Sequence, residues 1–173
     1  MAMKINFLLL ALIAFSYSRA QGTHQPMNDV PKDSVYTILY FGATSCGYCN
    51  VPENIQNITK MTNEVSELYK GFRIKKVIVA MDEDITEGLK FIGKYGSQWD
   101  EIAVGDFYYN ELAMIYLNKV QIPGVPHILV IKHTTIKAAY NVPGIVKTET
   151  LVDLVGGEQI NKWIIESYPG TVR

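Results

Sequence analysis

Apolar positions along this chain change their period several times, and each change marks an element. Val35-Tyr36-Thr37-Ile38-Leu39-Tyr40-Phe41 is β-branched and aromatic, the composition of a strand. Val51, Ile55, Ile58, Thr62, Val65 and Tyr69 then recur at steps of four and three, one face of a helix that Gly71 ends. Val77-Ile78-Val79-Ala80, inside residues 74–81, is continuously apolar, as a strand buried on both faces requires. Asp84 and Glu87 form a capping box for a second helix with Ile85, Leu89 and Ile92 on its inner face, fading at Tyr95-Gly96. Residues 97–110 are aromatic-rich and aperiodic, and a short helix is expected near 111–117. A third strand follows at Ile128-Leu129-Val130-Ile131 and a fourth at 136–140, after a Thr134-Thr135 turn. A last helix runs from about Thr148 to about Tyr168, interrupted at Gly156-Gly157. The order predicts an α/β domain in which crossover helices build a parallel pair and an antiparallel hairpin completes the sheet.

The amino terminus stands outside this pattern. Lys4, an apolar run over residues 5–15 and the small residues of Ser18-Arg19-Ala20 have the layout of a secretory signal cut after Ala20. Its apolar run is about half the ~20 residues that span a bilayer. Retention as an anchor is the alternative. Residues 21–33 form a polar lead-in, 34–168 the folded domain and 169–173 a tail, in a product exported to the periplasm or secreted. The full chain of 173 residues is 48% hydrophobic, with net charge -1, which excludes a disordered polymer and leaves no basic footprint for nucleic acid. Two cysteines are too few for a disulfide scaffold or a four-cysteine zinc site.

Both fall in one motif. Cys46-Gly47-Tyr48-Cys49 lies between the first strand and the first long helix. Free backbone N–H groups and the macrodipole at a helix start stabilise a thiolate there, lowering a cysteine pKa from about 8.5 toward roughly 3.5 to 7.5. Gly47 eases the turn and Tyr48 offers an aromatic surface beside the sulfurs. Redox exchange, metal binding and an inert short-loop disulfide are the three uses of such a pair. Gln121-Ile122-Pro123-Gly124-Val125-Pro126 runs straight into the third strand, where proline belongs at the first residue or an edge. A cis Val125-Pro126 bond would turn the backbone of Val125 outward to pair with an extended client. An ordinary trans proline, or Pro123 in that role, is the competing reading.

These features together resemble the thioredoxin fold: the Cys46-Gly47-Tyr48-Cys49 pair after a strand, with Val125-Pro126 before another. The middle is similar to the TlpA/ResA-like branch. It carries Gly71-Phe72-Arg73, Met81-Asp82-Glu83-Asp84, Phe91-Ile92-Gly93-Lys94-Tyr95-Gly96, Trp99 and Glu111-Leu112-Ala113 with Tyr116 and Val120, over about residues 35–155. The resemblance implies a central mixed sheet flanked by helices, with a helical insertion between the second and third core strands. It implies an exported thiol-disulfide oxidoreductase, more a reductase than an oxidase. Cys46 would attack, Cys49 resolve and a cis Pro126 face them, while Tyr48, Val125 and Pro126 contact the substrate. Protein clients and a membrane thiol-transfer partner for recycling are implied, for a monomer needing no cofactor. The chain departs from the pattern at three positions: Tyr40 replaces a buried aspartate, Pro52 a glutamate and Ser45 a tryptophan. No proton-transfer residue is therefore assigned, and Glu53 is read as capping its helix with Asn50.

A copper- or zinc-handling protein, using Cys46, Cys49 and His127, is the alternative function. Thr44-Ser45-Cys46 only partly matches a peroxidatic spacing. Asn57-Ile58-Thr59 is a glycosylation sequon on a half-apolar helix, best read as chance. Trp99 and Phe107-Tyr108-Tyr109 are read as packing for the insertion rather than a client wall. Arg73, Lys75 and Lys76 are read as a solvated approach to a strand.

Overall fold

The computed structural model describes residues 32–68, 72–106, 108–137 and 143–168. The expected signal at 1–20, the lead-in up to residue 31 and the tail at 169–173 lie outside them. Among the described residues, five strands and four α-helices follow in order: β1 (Lys32–Gly42), α1 (Pro52–Leu68), β2 (Arg73–Ala80), α2 (Ile85–Gly93), β3 (Glu101–Val104), α3 (Glu111–Tyr116), β4 (His127–Lys137), β5 (Pro143–Val155) and α4 (Gly157–Ile165). The sheet order is β3-β2-β1-β4-β5, with β1, β2 and β3 parallel and β4 and β5 antiparallel to their neighbours.

Alternation along the strands divides the core into two layers. Ile38, Tyr40, Ile78, Ile128 and Val130 face Ile58, Met61 and Val65 of α1, Phe91 and Ile92 of α2, and Ile160, Trp163 and Ile164 of α4. Leu39, Phe41, Val77, Val79, Leu129 and Ile131 face Ala113 of α3 and the following Leu117. Helices thus cover both faces, as a sheet with a parallel, doubly buried centre demands. The connection from β2 to β4 comprises α2, β3 and α3.

Several sequence expectations are corrected. Residues 32 and 33 belong to β1 rather than to the lead-in. Thr134-Thr135 makes no turn, because both continue β4 against β5 with a register irregularity between them. The strand expected at 136–140 is therefore the end of β4, and residues 138–140 lie outside those described. Thr148 to Val155 is strand, not helix: its backbone pairs with β4, and α4 begins only after Gly156. The aperiodic stretch contains the four-residue edge strand β3, too short to show a period. In α2, Asp84 caps Glu87 N–H as expected, yet Ile85 and Leu89 are exposed, and Gly88, Phe91 and Ile92 face inward. A Cβ at Gly88 would collide with Val104, so the glycine lets that side of the helix approach the sheet. Tyr108 and Tyr109 are 77% and 88% exposed rather than core packing, and Phe107 lies outside the described residues.

Candidate active site

One end of the sheet collects the loops that carry chemistry. β1 and β2 reach it at Gly42 and Ala80, which are register partners, and Gly42 accepts a hydrogen bond from Met81 N–H at 2.7 Å. β4 starts there, with His127 opposite Phe41, and β5 ends there, with Val155 opposite His127. The cysteine loop, the Val125-Pro126 segment and the start of α4 therefore leave the same edge.

Cys46 and Cys49 form a disulfide with S–S 2.07 Å. Cys46 is partly exposed and Cys49 is fully buried. The long helix does not begin at the motif: Tyr48–Asn50 is a 3₁₀ turn, and α1 starts at Pro52. Local backbone, rather than the end of α1, therefore serves the sulfur, with Cys49 N–H donating to Cys46 Sγ at 3.1 Å. Asn50 does not cap α1 with Glu53. Its amide donates to the carbonyls of Ala43, Thr44 and Cys46 at 3.3, 2.9 and 2.7 Å, and its oxygen accepts from Lys94 Nζ at 2.6 Å. These bonds close the loop on itself. Buried Asp82 holds its other side, accepting from Thr44 N–H at 3.0 Å and from the Thr44 hydroxyl.

Tyr48 turns its ring over Gly157, where a Cβ would occupy the same space. Its hydroxyl accepts from the Asn161 amide of α4, and Asn161 Oδ1 accepts from Asn57 Nδ2 at 3.0 Å. The sequon asparagine is thus engaged between helices. The Val125-Pro126 peptide is cis. Pro126 is buried, Val125 is partly buried, and Pro126 O accepts from Gly156 N–H at 2.8 Å.

Beneath Cys49 lies a polar cluster that sequence reading missed. The phenol oxygens of Tyr40 and Tyr95 are 2.8 Å apart, Asn54 Nδ2 donates to them at 3.1 and 3.3 Å, and the Tyr95 hydroxyl donates to Cys49 O. Burial raises the pKa of Tyr40 far above the ordinary phenol range, reinforced by Tyr95. Burial likewise pushes Tyr95 up to about 12, against its hydrogen bonds to Tyr40 and Asn54. Both phenols are neutral throughout the physiological range. Tyr40 was visible in the sequence as the residue in place of an aspartate, but nothing there signalled its partnership with Tyr95, 55 positions away.

His127 follows the cis-proline but points away from the sulfurs. On β4 it shares a face with Leu129 and Ile131, the layer of α3, whereas Cys49 belongs to the opposite layer. His127 is fully buried, with Nε2 2.8 Å from Asp153 Oδ1. The Cys46/Cys49/His127 ligand set is accordingly not assembled, and among the described residues no three His, Cys, Asp or Glu side chains are grouped to hold a metal.

A mixed five-stranded sheet with helices on both faces, a Cys-x-x-Cys disulfide after β1 and a cis-proline before β4 now stand together. The fold is thioredoxin-like. Solved structures similar to this chain include a thioredoxin-like protein from Bacteroides caccae, at 15% identity and TM-score 0.42, covering 76% of this chain and 40% of that one. The thioredoxin domain of a thiol-disulfide oxidoreductase from Bacteroides vulgatus matches at 19% identity and TM-score 0.40, covering 77% of this chain and 78% of that one. A putative thiol:disulfide interchange protein DsbE from Chlorobium tepidum matches at 19% and 0.42, covering 79% and 77%. The chain spans less than half the length of the first of these. No protein-family model matches the sequence, and no curated protein matches it either.

Proposed function

We propose that this thioredoxin-like domain is a thiol-disulfide oxidoreductase that exchanges Cys46/Cys49 with protein clients, running mainly as a reductase. The observation that carries this reading is the unequal burial of the two bonded cysteines: Cys46 is partly exposed and Cys49 is fully buried. Cys46 as thiolate attacks a client disulfide, the client's leaving sulfur takes a proton, and a mixed disulfide forms. Cys49 then attacks Cys46 Sγ, releasing the second client thiol and leaving the pair oxidised. Cys49 N–H, already directed at Cys46 Sγ, is the local donor that favours the thiolate. Tyr48, Val125 and Pro126 contact the client; Tyr48 and Val125 keep exposed surface, and Pro126 is buried beside them in sequence. A membrane thiol-transfer partner returns the pair to dithiol outside the cytoplasm, and the domain acts as a monomer without a cofactor.

Insulin reduction tests the exchange. Cys46→Ser abolishes turnover, while Cys49→Ser accumulates mixed disulfides with clients; full activity in Cys46→Ser overturns the reading. Direction is tested by equilibrating the pair with glutathione. A potential near the thioredoxin value of about -270 mV supports a reductase, and one near about -120 mV identifies an oxidant.

A further inference from the structure

Reduction removes the covalent link across the cysteine turn. Opening the Cys46–Cys49 disulfide takes up two electrons and two protons from a client or reagent dithiol, which is itself oxidised to a disulfide. A turn held by nothing else would regain backbone freedom that must be given up again each time the bond closes. Whatever holds it open and shut alike has to be bonding in which neither sulfur takes part. The contact from Cys49 N–H to Cys46 Sγ does not qualify, since it depends on where that sulfur lies.

Asn50 supplies bonding of the required kind. Its Nδ2 donates to Cys46 O and Thr44 O at 2.7 and 2.9 Å, with Ala43 O alongside at 3.3 Å. Its backbone N–H donates to Gly47 O at 3.2 Å. One residue thus ties residues 43–47 together, and every acceptor is a main-chain carbonyl that is chemically the same in disulfide and dithiol. The amide can lie only one way round. Lys94 Nζ, 2.6 Å from Asn50 Oδ1, only donates, and the carbonyls only accept. Lys94 is the C-cap of α2, and the next residue, Tyr95, donates to Cys49 O. Two consecutive residues at the end of α2 therefore hold two consecutive residues of the turn. The clasp is anchored on a helix as well as on the loop that it closes.

We propose that Asn50, oriented by Lys94, is a positioning residue for closure of the pair, keeping the dithiol turn in the shape of the disulfide turn. This rests on the exchange reading above and assigns a residue to its second step. In that step the Cys49 thiolate attacks Cys46 Sγ, the bond from Cys46 to the client sulfur breaks, and the client leaves as a thiolate that takes up a proton. Holding the two cysteines in register beforehand removes part of the entropic barrier to that attack. Hydrogen bonds lost equally from both redox forms cancel in the redox equilibrium. Freedom gained on losing Asn50 does not cancel, because the disulfide still restrains the turn and the dithiol does not. Asn50 therefore favours the disulfide and makes the pair a stronger reductant.

The potential of the full chain tests this, with glutathione as reductant and glutathione disulfide as oxidant. Asn50→Ala is expected to shift the equilibrium about three- to tenfold toward the dithiol, the scale of part of one residue's backbone freedom. At 29.6 mV per tenfold, that makes the potential about 14 to 30 mV less negative. Lys94→Met is expected to shift it in the same direction, and to add nothing once Asn50→Ala is present, because Lys94 acts through Asn50. A merely structural role would weaken both redox forms alike and leave the potential where it was. A potential unchanged or more negative in either single variant, or shifts that add in the double variant, overturns the proposal; Asn50→Leu serves if the alanine variant does not fold. Insulin reduction by the unsubstituted chain is measured alongside. Inactivity there overturns the exchange reading, whereas an active protein whose potential ignores Asn50→Ala overturns this proposal alone.

Discussion

Tyr95 joins the cysteine turn to the core through one hydroxyl. Its bond to Cys49 O satisfies a carbonyl in a fully buried residue, and losing one partner of a buried hydrogen bond costs about 1 to 3 kcal/mol. Tyr95→Phe is therefore expected to lower the stability of the oxidised protein by that amount, read from urea denaturation. His133 makes a pH-dependent contribution at the same scale. It is buried on β4 beside the Thr148 hydroxyl, and burial lowers its pKa below the ordinary histidine value of about 6.5. Protonation is thus easier in the unfolded chain. The associated stability is present above about pH 6.5 and lost as pH falls through the lowered folded value. The denaturation midpoint should fall between pH 7.5 and 5, and His133→Gln should remove that part of the decline.

Among the elements, α2 shows how packing overrides a plausible pattern. Ile85, Leu89 and Ile92 satisfy a helical period, but Gly88 is the residue that allows the backbone to approach Ala80 and Val104. That approach turns Phe91, Ile92 and Tyr95 inward and leaves Ile85 and Leu89 outside. Gly88→Ala would place its Cβ 3.3 Å from that of Ala80 and in collision with Val104. Overpacking of this kind costs about 1 to 3 kcal/mol, to be read as a lower melting temperature. α3 depends on its start instead. Asn110, buried, accepts from the N–H groups of Leu112 and Ala113 at 3.1 and 3.2 Å, so Asn110→Ala should cost about 1 kcal/mol in denaturant titration. The β4–β5 hairpin corrects the helix expected from Thr148. A local period cannot reveal that a partner strand lies alongside, and β5 is decided by its ladder.

At the scale of the described domain, α4 is fastened to both the cysteine turn and the cis-proline segment. Gly156 N–H holds Pro126 O, and Asn161 holds the Tyr48 hydroxyl across 113 positions of sequence. α4 thus links the cysteine turn to the cis-proline segment, and the two are positioned together. A double-mutant cycle of Tyr48→Phe and Asn161→Ala should return a coupling of about 0.5 to 1.5 kcal/mol. Additive effects in chemical denaturation would show that the contact carries no stability.

The sequence by itself determined the class of fold and the place of the cysteine pair. Continuous β-branched runs, one long amphipathic face and turn residues at their ends are local properties, and Cys46 and Cys49 belong to one short motif. Val125-Pro126 was likewise legible as a proline leading straight into a strand. Only the tertiary structure decided what depends on distant parts of the chain meeting. It separated His127 from the sulfurs by the alternation of β4, and it moved Asn50 from helix cap to loop clasp. It also gathered Tyr40, Asn54 and Tyr95 under Cys49. Such groupings are set by sheet register and by the side on which each helix packs, and neither is encoded in the spacing of neighbouring residues.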